Sequence, residues 1–216
     1  MVAVDTSYAA PNEISAQTGH TGWIVLFAFL VAAVLAAGSL VLGAPSGWRA
    51  AAEMTARFAV LLFAAAMIAE PVGRLVPVRP MQALACERGS LMLAFVLAMT
   101  ASLACVAAPA LLGGDKLTAQ ALAYCMLTGA ILVVMLFSAH PATKRVLGGP
   151  AWRTLQRIGT SYFWLAFALI GIDHMVGPHR PDGWYGLSLL LLTVALLIRF
   201  TDSFVAKLRR TAPLAG

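Results

Sequence analysis

Apolar residues in this chain come in blocks of about twenty, and each block is separated from the next by only a few polar positions. A helix rises 1.5 Å per residue, so about twenty residues cross a ~30 Å hydrocarbon layer. In that layer every backbone N–H and C=O must find its partner inside the segment, which favours helices. The blocks predict six spans, at 23–43, 55–76, 89–112, 117–139, 154–176 and 183–200. Composition agrees: of 216 residues 61% are hydrophobic and 11% charged, where a soluble domain carries about 25% charged. No polar stretch is long enough for a separate soluble domain. The expected fold class is therefore all-α, a polytopic membrane bundle. Residues 1–22 form an N-terminal tail, 23–200 the membrane domain and 201–216 a basic tail. The first apolar block has no basic residue before it, unlike a secretory signal, and reads as a retained span.

The connections at 113–116 and 177–182 are short, so neighbouring spans run antiparallel. Six spans put both termini on one side. Eleven of the fifteen Lys and Arg fall on that side, and only Arg49, Arg57, Lys116 and Arg180 on the other. Basic loops stay in the cytoplasm, so both termini are predicted there, in a bacterial-type inner membrane. Trp23 and Trp152 then mark the inner interface and Trp48 and Trp184 the outer one. Small residues at four-residue spacing, Ala94, Ala98 and Ser102 in one span and Ala28, Ala32 and Ala36 in another, predict close helix packing. The +6 charge belongs to the membrane flanks and does not indicate nucleic acid.

Ionisable groups in a span are costly, and so are candidates for function. Glu70–Pro71 is expected to end or kink its helix, because proline lacks the N–H for the ladder. Glu70 is placed to pair with Arg74, one turn on, or with the basic loop before the fifth span. The fifth span carries Gln156 and Arg157 at one end and Asp173 and His174 at the other. Gln156 and His174 share a helix face but lie about 27 Å apart, too far to serve one small site. Adjacent Asp173 and His174 point about 100° apart and are most simply interfacial. Of the four histidines, no two fall at one depth on different spans, as a bis-His haem requires. His174 is the one retained cofactor candidate. No catalytic or metal-ligating set is predicted.

Cys105 and Cys125 fall at similar depth in adjacent spans. The odd count of three cysteines excludes a complete disulfide framework. The chain has no GxGxxG, GxxxxGK[ST], CxxC or HExxH motif. It carries no nucleotide or flavin module, and a redox donor would be another molecule.

The stretch RVLGGPAWRTLQRIGTSYFWLAFAL at 145–169 resembles the ferric-reductase-like transmembrane family, through Leu147, Gly148, Trp152, Leu155, Arg157 and Tyr162. Its nearest likeness is to the haem-binding membrane subunits of bacterial methionine sulfoxide reductase systems. ARFAVLLFAAAMIAEPVGRLVP and ERGSLMLAF are similar to other helices of that family. The resemblance covers about 55–200 and implies a four-helix core. Where the family carries haem-ligating histidines, this chain has Gln156, Leu169 and a position near Ala101. The resemblance therefore implies the family's fold without its haem, in an accessory or assembly subunit of a membrane redox complex, with another membrane or redox subunit as partner. Two alternatives stand beside it. One is an electron-transfer protein with haem b held unusually, through His174. The other is a small transporter or quinone-binding protein.

Overall fold

A computed structural model describes residues 25, 27–34, 37, 46–76, 78–111, 118–139, 143, 146, 148–177 and 183–211. Among them the regular structure is entirely α-helical. The helices are α1 (Ser46–Leu75), α2 (Arg79–Cys86), α3 (Arg88–Leu111), α4 (Ala119–Ala139), α5 (Gly149–Val176) and α6 (Gly183–Thr211). All but the short α2 are long and apolar enough to cross a membrane. They correspond to the second through sixth expected spans. Most of the first lies outside the described residues, though residues 25, 27–34 and 37 are helical. Ala28 and Ala32 there are buried while Phe27, Phe29 and Leu30 are exposed, the pattern of a small-residue packing face. The connections at 113–116 and 178–182, with His20, His140 and His179, also lie outside the described residues.

Hydropathy located the helices but not their ends. α1 begins nine residues before the expected span, because SGWRAAAEM is alanine-rich and continues the helix outside the apolar block. α6 runs eleven residues past the expected end, through a segment read as tail. Glu70–Pro71 does not end α1, which continues to Leu75. Proline removes one ladder bond, that to the Met67 carbonyl, but four further residues pack against neighbours and keep the helix going. α2, expected as loop, starts on Arg79–Pro80, where a missing N–H costs nothing. Thr118 caps α4, its Oγ1 accepting from the Ala121 N–H at 3.2 Å. Gly148 precedes α5 at φ 76°, a backbone state that glycine adopts without steric cost.

The five long helices close into a ring. α1 packs on α3, α3 on α4, α4 on α5, α5 on α6, and α6 returns to α1. Antiparallel order shows in the pairings. Ser102 Oγ donates to the Ala52 carbonyl at 2.9 Å while Glu70 meets Arg88 at the other end of the same two helices. The Thr128 hydroxyl bonds the Tyr162 hydroxyl at 2.8 Å across α4 and α5, and Trp164 Nε1 donates to the Leu192 carbonyl at 3.2 Å across α5 and α6. An odd ring cannot alternate throughout, so one seam must be parallel. That seam is α1 with α6: Arg57 lies over the Trp184 ring near their starts, and Arg74 pairs with Asp202 near their ends.

The tightest contact, α1 on α3, is made by small residues on both sides. Ala94, Ala98 and Ser102 are buried, as are Ala51, Thr55 and Ala59 at the same four-residue spacing on α1. The centre of the ring is filled by Phe63, Phe95, Phe163 and Phe167. Their ring centroids lie 4.9–6.3 Å apart, mostly tilted or edge-on, the geometry aromatic quadrupoles prefer. The outward faces are apolar instead of polar: Leu122, Met126, Phe137, Leu165, Leu190 and Leu197 are all exposed. A surface of this kind suits lipid, not water. The buried polar side chains, Thr55, Ser90, Ser102, Thr128, Thr160 and Ser188, each bond a carbonyl, a carboxylate or a second hydroxyl, so none is left unsatisfied at a cost.

Candidate functional site: an arginine-lined cavity

With the ring shut at its middle, open space lies towards its ends. One end holds a cavity of about 570 Å³. α1 supplies Glu70 and Arg74, α3 supplies Arg88 from its first turn, α5 supplies Arg153, Gln156 and Arg157, and α6 supplies Arg199 and Asp202. Trp152, Thr160 and Ser203 add neutral hydrogen-bonding groups, and Met67 is part of the wall. Four of the six residues singled out from sequence, Glu70, Arg74, Gln156 and Arg157, thus meet in one place.

An ion-pair chain organises one wall. Glu70 accepts from Arg74 through one carboxylate oxygen and from Arg88 through the other. Arg74 reaches on to Asp202 at 3.3 Å. Among the described residues the second partner of Glu70 is Arg88, and Lys144 and Arg145 of the loop before α5 lie outside the described residues. Both Glu70 and Arg88 side chains are about two-thirds buried, where a shared, hydrogen-bonded geometry is what makes charge tolerable. The opposite wall is different. Among the described residues, no acid lies within ion-pair distance of Arg157 or Arg199. Arg199 is half-buried and feels the like charges of Arg88 and Arg157, offset by Glu70. Five arginines face two carboxylates, so the cavity is an electropositive vestibule.

Asp173 and His174 lie at the other end, away from this cavity. Asp173 is exposed. The His174 ring stacks on Tyr185 with centroids 4.0 Å apart, and its Nδ1 lies 2.9 Å from the Ile170 carbonyl. His174 is the one histidine among the described residues, and no cluster of three metal-ligating side chains occurs among them. A second cavity of about 360 Å³ opens at this end, between Glu53, Arg57, Tyr124, Cys125, Trp184 and Tyr185. Cys105 is buried, Cys125 half-buried and Cys86 exposed, all as free thiols.

The positions where the resemblance would place haem ligands do not converge. Gln156 lies seven residues before Phe163, so the two share the inward face of α5. Leu169 follows Phe167 by two residues, about 200° around the helix, and is 57% exposed on the outer surface. A ligand at 169 would face away from the ring centre, and the centre itself is occupied by phenyl rings. Residues here do not fit a haem held as that family holds it.

Sequence reasoning missed Arg88, Arg153, Arg199 and Asp202 as parts of one site. The one local signal was Arg199 within the apolar run LLIRF, a charge with no reason to be there unless its helix borders a polar space. Comparison with protein-family models, with curated proteins and with solved structures gives no match to this chain. Fold and site together define a class: a helical protein with five apolar, membrane-length helices among the described residues and an electropositive vestibule at one end of the bundle.

Proposed function

We propose that the chain is a polytopic inner-membrane protein acting as a haem-free accessory or assembly subunit of a membrane redox complex, with its arginine-rich end in the cytoplasm. The observation that carries the haem-free reading is the bundle centre, where Phe63, Phe95 and Phe163 are 0% exposed and fill the space between helices. Gln156 and Leu169 stand where the resembling family has imidazoles, and neither side chain is a competent haem ligand. The redox context rests on the resemblance of residues 145–169 and 56–77. Orientation rests on the positive-inside rule: Arg74, Arg88, Arg153, Arg157 and Arg199 gather at one end, and Arg57 is at the other.

Absorption spectra of the detergent-purified protein, oxidised and dithionite-reduced, test this. The expected result is no Soret band at stoichiometric intensity. A stoichiometric band that His174→Ala abolishes would overturn the reading in favour of an unusually ligated haem b. Cysteine scanning with an impermeant maleimide tests the topology: position 212 should be protected in intact cells.

A further inference from the structure

The vestibule has a side opening. A groove of about 330 Å³ shares Arg157, Thr160, Arg199 and Ser203 with it, then continues past Trp164, Leu196 and Phe200. It runs between α5 and α6 from a charged end to an apolar one. Phe200 is 64% exposed, and Leu197 beside it on α6 60%, so the apolar end lies on the outer face of the ring. Trp164 is fixed there by its bond to the Leu192 carbonyl.

Two features of this geometry suit an anionic, amphipathic ligand. Arg157 and Arg199 have no carboxylate in ion-pair contact among the described residues, while Glu70 and Asp202 are already engaged by Arg74 and Arg88. Half-buried Arg199 sits among like charges at the edge of an apolar span, a placement that an anion would relieve. Guanidinium groups with neighbouring hydroxyls match the oxygens of a phosphate. The apolar groove leading away from them matches an acyl chain, a combination that a soluble anion would leave unused. Basic pockets between membrane helices on the cytoplasmic side are general sites for anionic headgroups.

We propose that this cavity and groove bind an anionic phospholipid, its phosphate on Arg157 and Arg199 with a hydroxyl donor from Ser203, and one acyl chain along Trp164, Leu196 and Phe200. The proposed contacts come from α5 and α6, with Met67 of α1 in the wall of both cavity and groove, and the site requires no redox partner.

The test uses the full-length protein in detergent. Dioleoyl phosphatidylglycerol and dioleoyl phosphatidylcholine are added in equal amounts and retention is read by native mass spectrometry. The wild-type protein should retain phosphatidylglycerol preferentially, and Arg157→Gln/Arg199→Gln should weaken that preference about thirtyfold, the equivalent of two headgroup-facing arginines. Should the double variant fail to fold, the wild-type protein alone decides. Phosphatidylglycerol brominated on its acyl chains should quench tryptophan emission more than brominated phosphatidylcholine, and Trp164→Phe should remove that difference. Equal retention of the two lipids, or equal quenching by them, overturns the proposal. Displacement of phosphatidylglycerol by excess inorganic phosphate, but not by chloride at equal ionic strength, also overturns it and makes the cavity a free-phosphate site.

Discussion

Phe95→Ala tests whether the phenyl cluster holds the ring together. Phe95 is 0% exposed, with its ring centroid 5.1 Å from that of Phe63 and 4.9 Å from that of Phe163. In a water-soluble core its truncation would cost a transfer energy plus a cavity energy. A chain unfolded within a membrane or micelle leaves this side chain in hydrocarbon, so the transfer part nearly vanishes and the cavity part remains. A phenyl ring removed without collapse opens on the order of 100 Å³, which at about 24 cal/mol per Å³ is about 2.4 kcal/mol. Two lost ring–ring contacts, one tilted and one edge-on, at about 0.5–1.5 kcal/mol each bring the expected loss to about 3–5 kcal/mol. Leu169→Ala provides the contrast. Its side chain is 57% exposed outside the ring and exchanges one apolar environment for another, so its cost should stay below about 0.5 kcal/mol. Reversible unfolding in mixed dodecyl maltoside and sodium dodecyl sulfate micelles, followed by tryptophan emission, measures both. Equal costs for the two variants, or a Phe95→Ala cost under about 1 kcal/mol, would refute the idea that the centre is close-packed.

Other perturbations address the vestibule and the packing seams. Glu70→Gln removes the carboxylate shared by Arg74 and Arg88; it should cost about 1–2 kcal/mol in the same assay, with the difference from wild type shrinking as salt is raised. Gly73→Ala would put a methyl group 2.7 Å from the Ala85 Cβ and 3.1 Å from the Met81 carbonyl oxygen; α2 must move off α1, and hydrogen exchange in residues 79–86 should speed up at least about tenfold. Unchanged exchange there would show that the seam is loose. Maleimide should label the thiols in the order Cys86, Cys125, Cys105, following their exposure; prompt labelling of Cys105 would contradict its burial in α3.

Helices were legible in the sequence because burial in lipid needs long apolar runs, and those are visible one residue at a time. Helix ends were not: α2 and the last eleven residues of α6 are too polar to register as hydropathy, although both continue as helix. The small-residue face of α3 was readable from Ala94, Ala98 and Ser102, yet its complement on α1, Ala51, Thr55 and Ala59, was hidden because the expected span began only at residue 55. Glu70 with Arg74 could be read from one helical turn. Arg88 could not, since its approach depends on how α3 leans on α1. The vestibule as a whole draws on four long helices, and its residues, from Met67 to Ser203, become one site only once the ring has closed. Leu169 shows another limit: the sequence places it within an apolar run, and only the rotation of α5 puts its side chain on the outer surface.

The parallel seam between α1 and α6 has a consequence for how the chain is made. Every other seam joins helices that follow closely along the chain, and these can pair soon after each leaves the ribosome. α1 must wait for α6, and the Arg74–Asp202 contact closes across 128 residues. Until then the flanks of α1 and α5 have lipid, or a chaperone, in place of α6. Truncation just before residue 183, where α6 begins, should leave a protein whose earlier helices insert yet stay permanently unlatched, a natural substrate for membrane proteases.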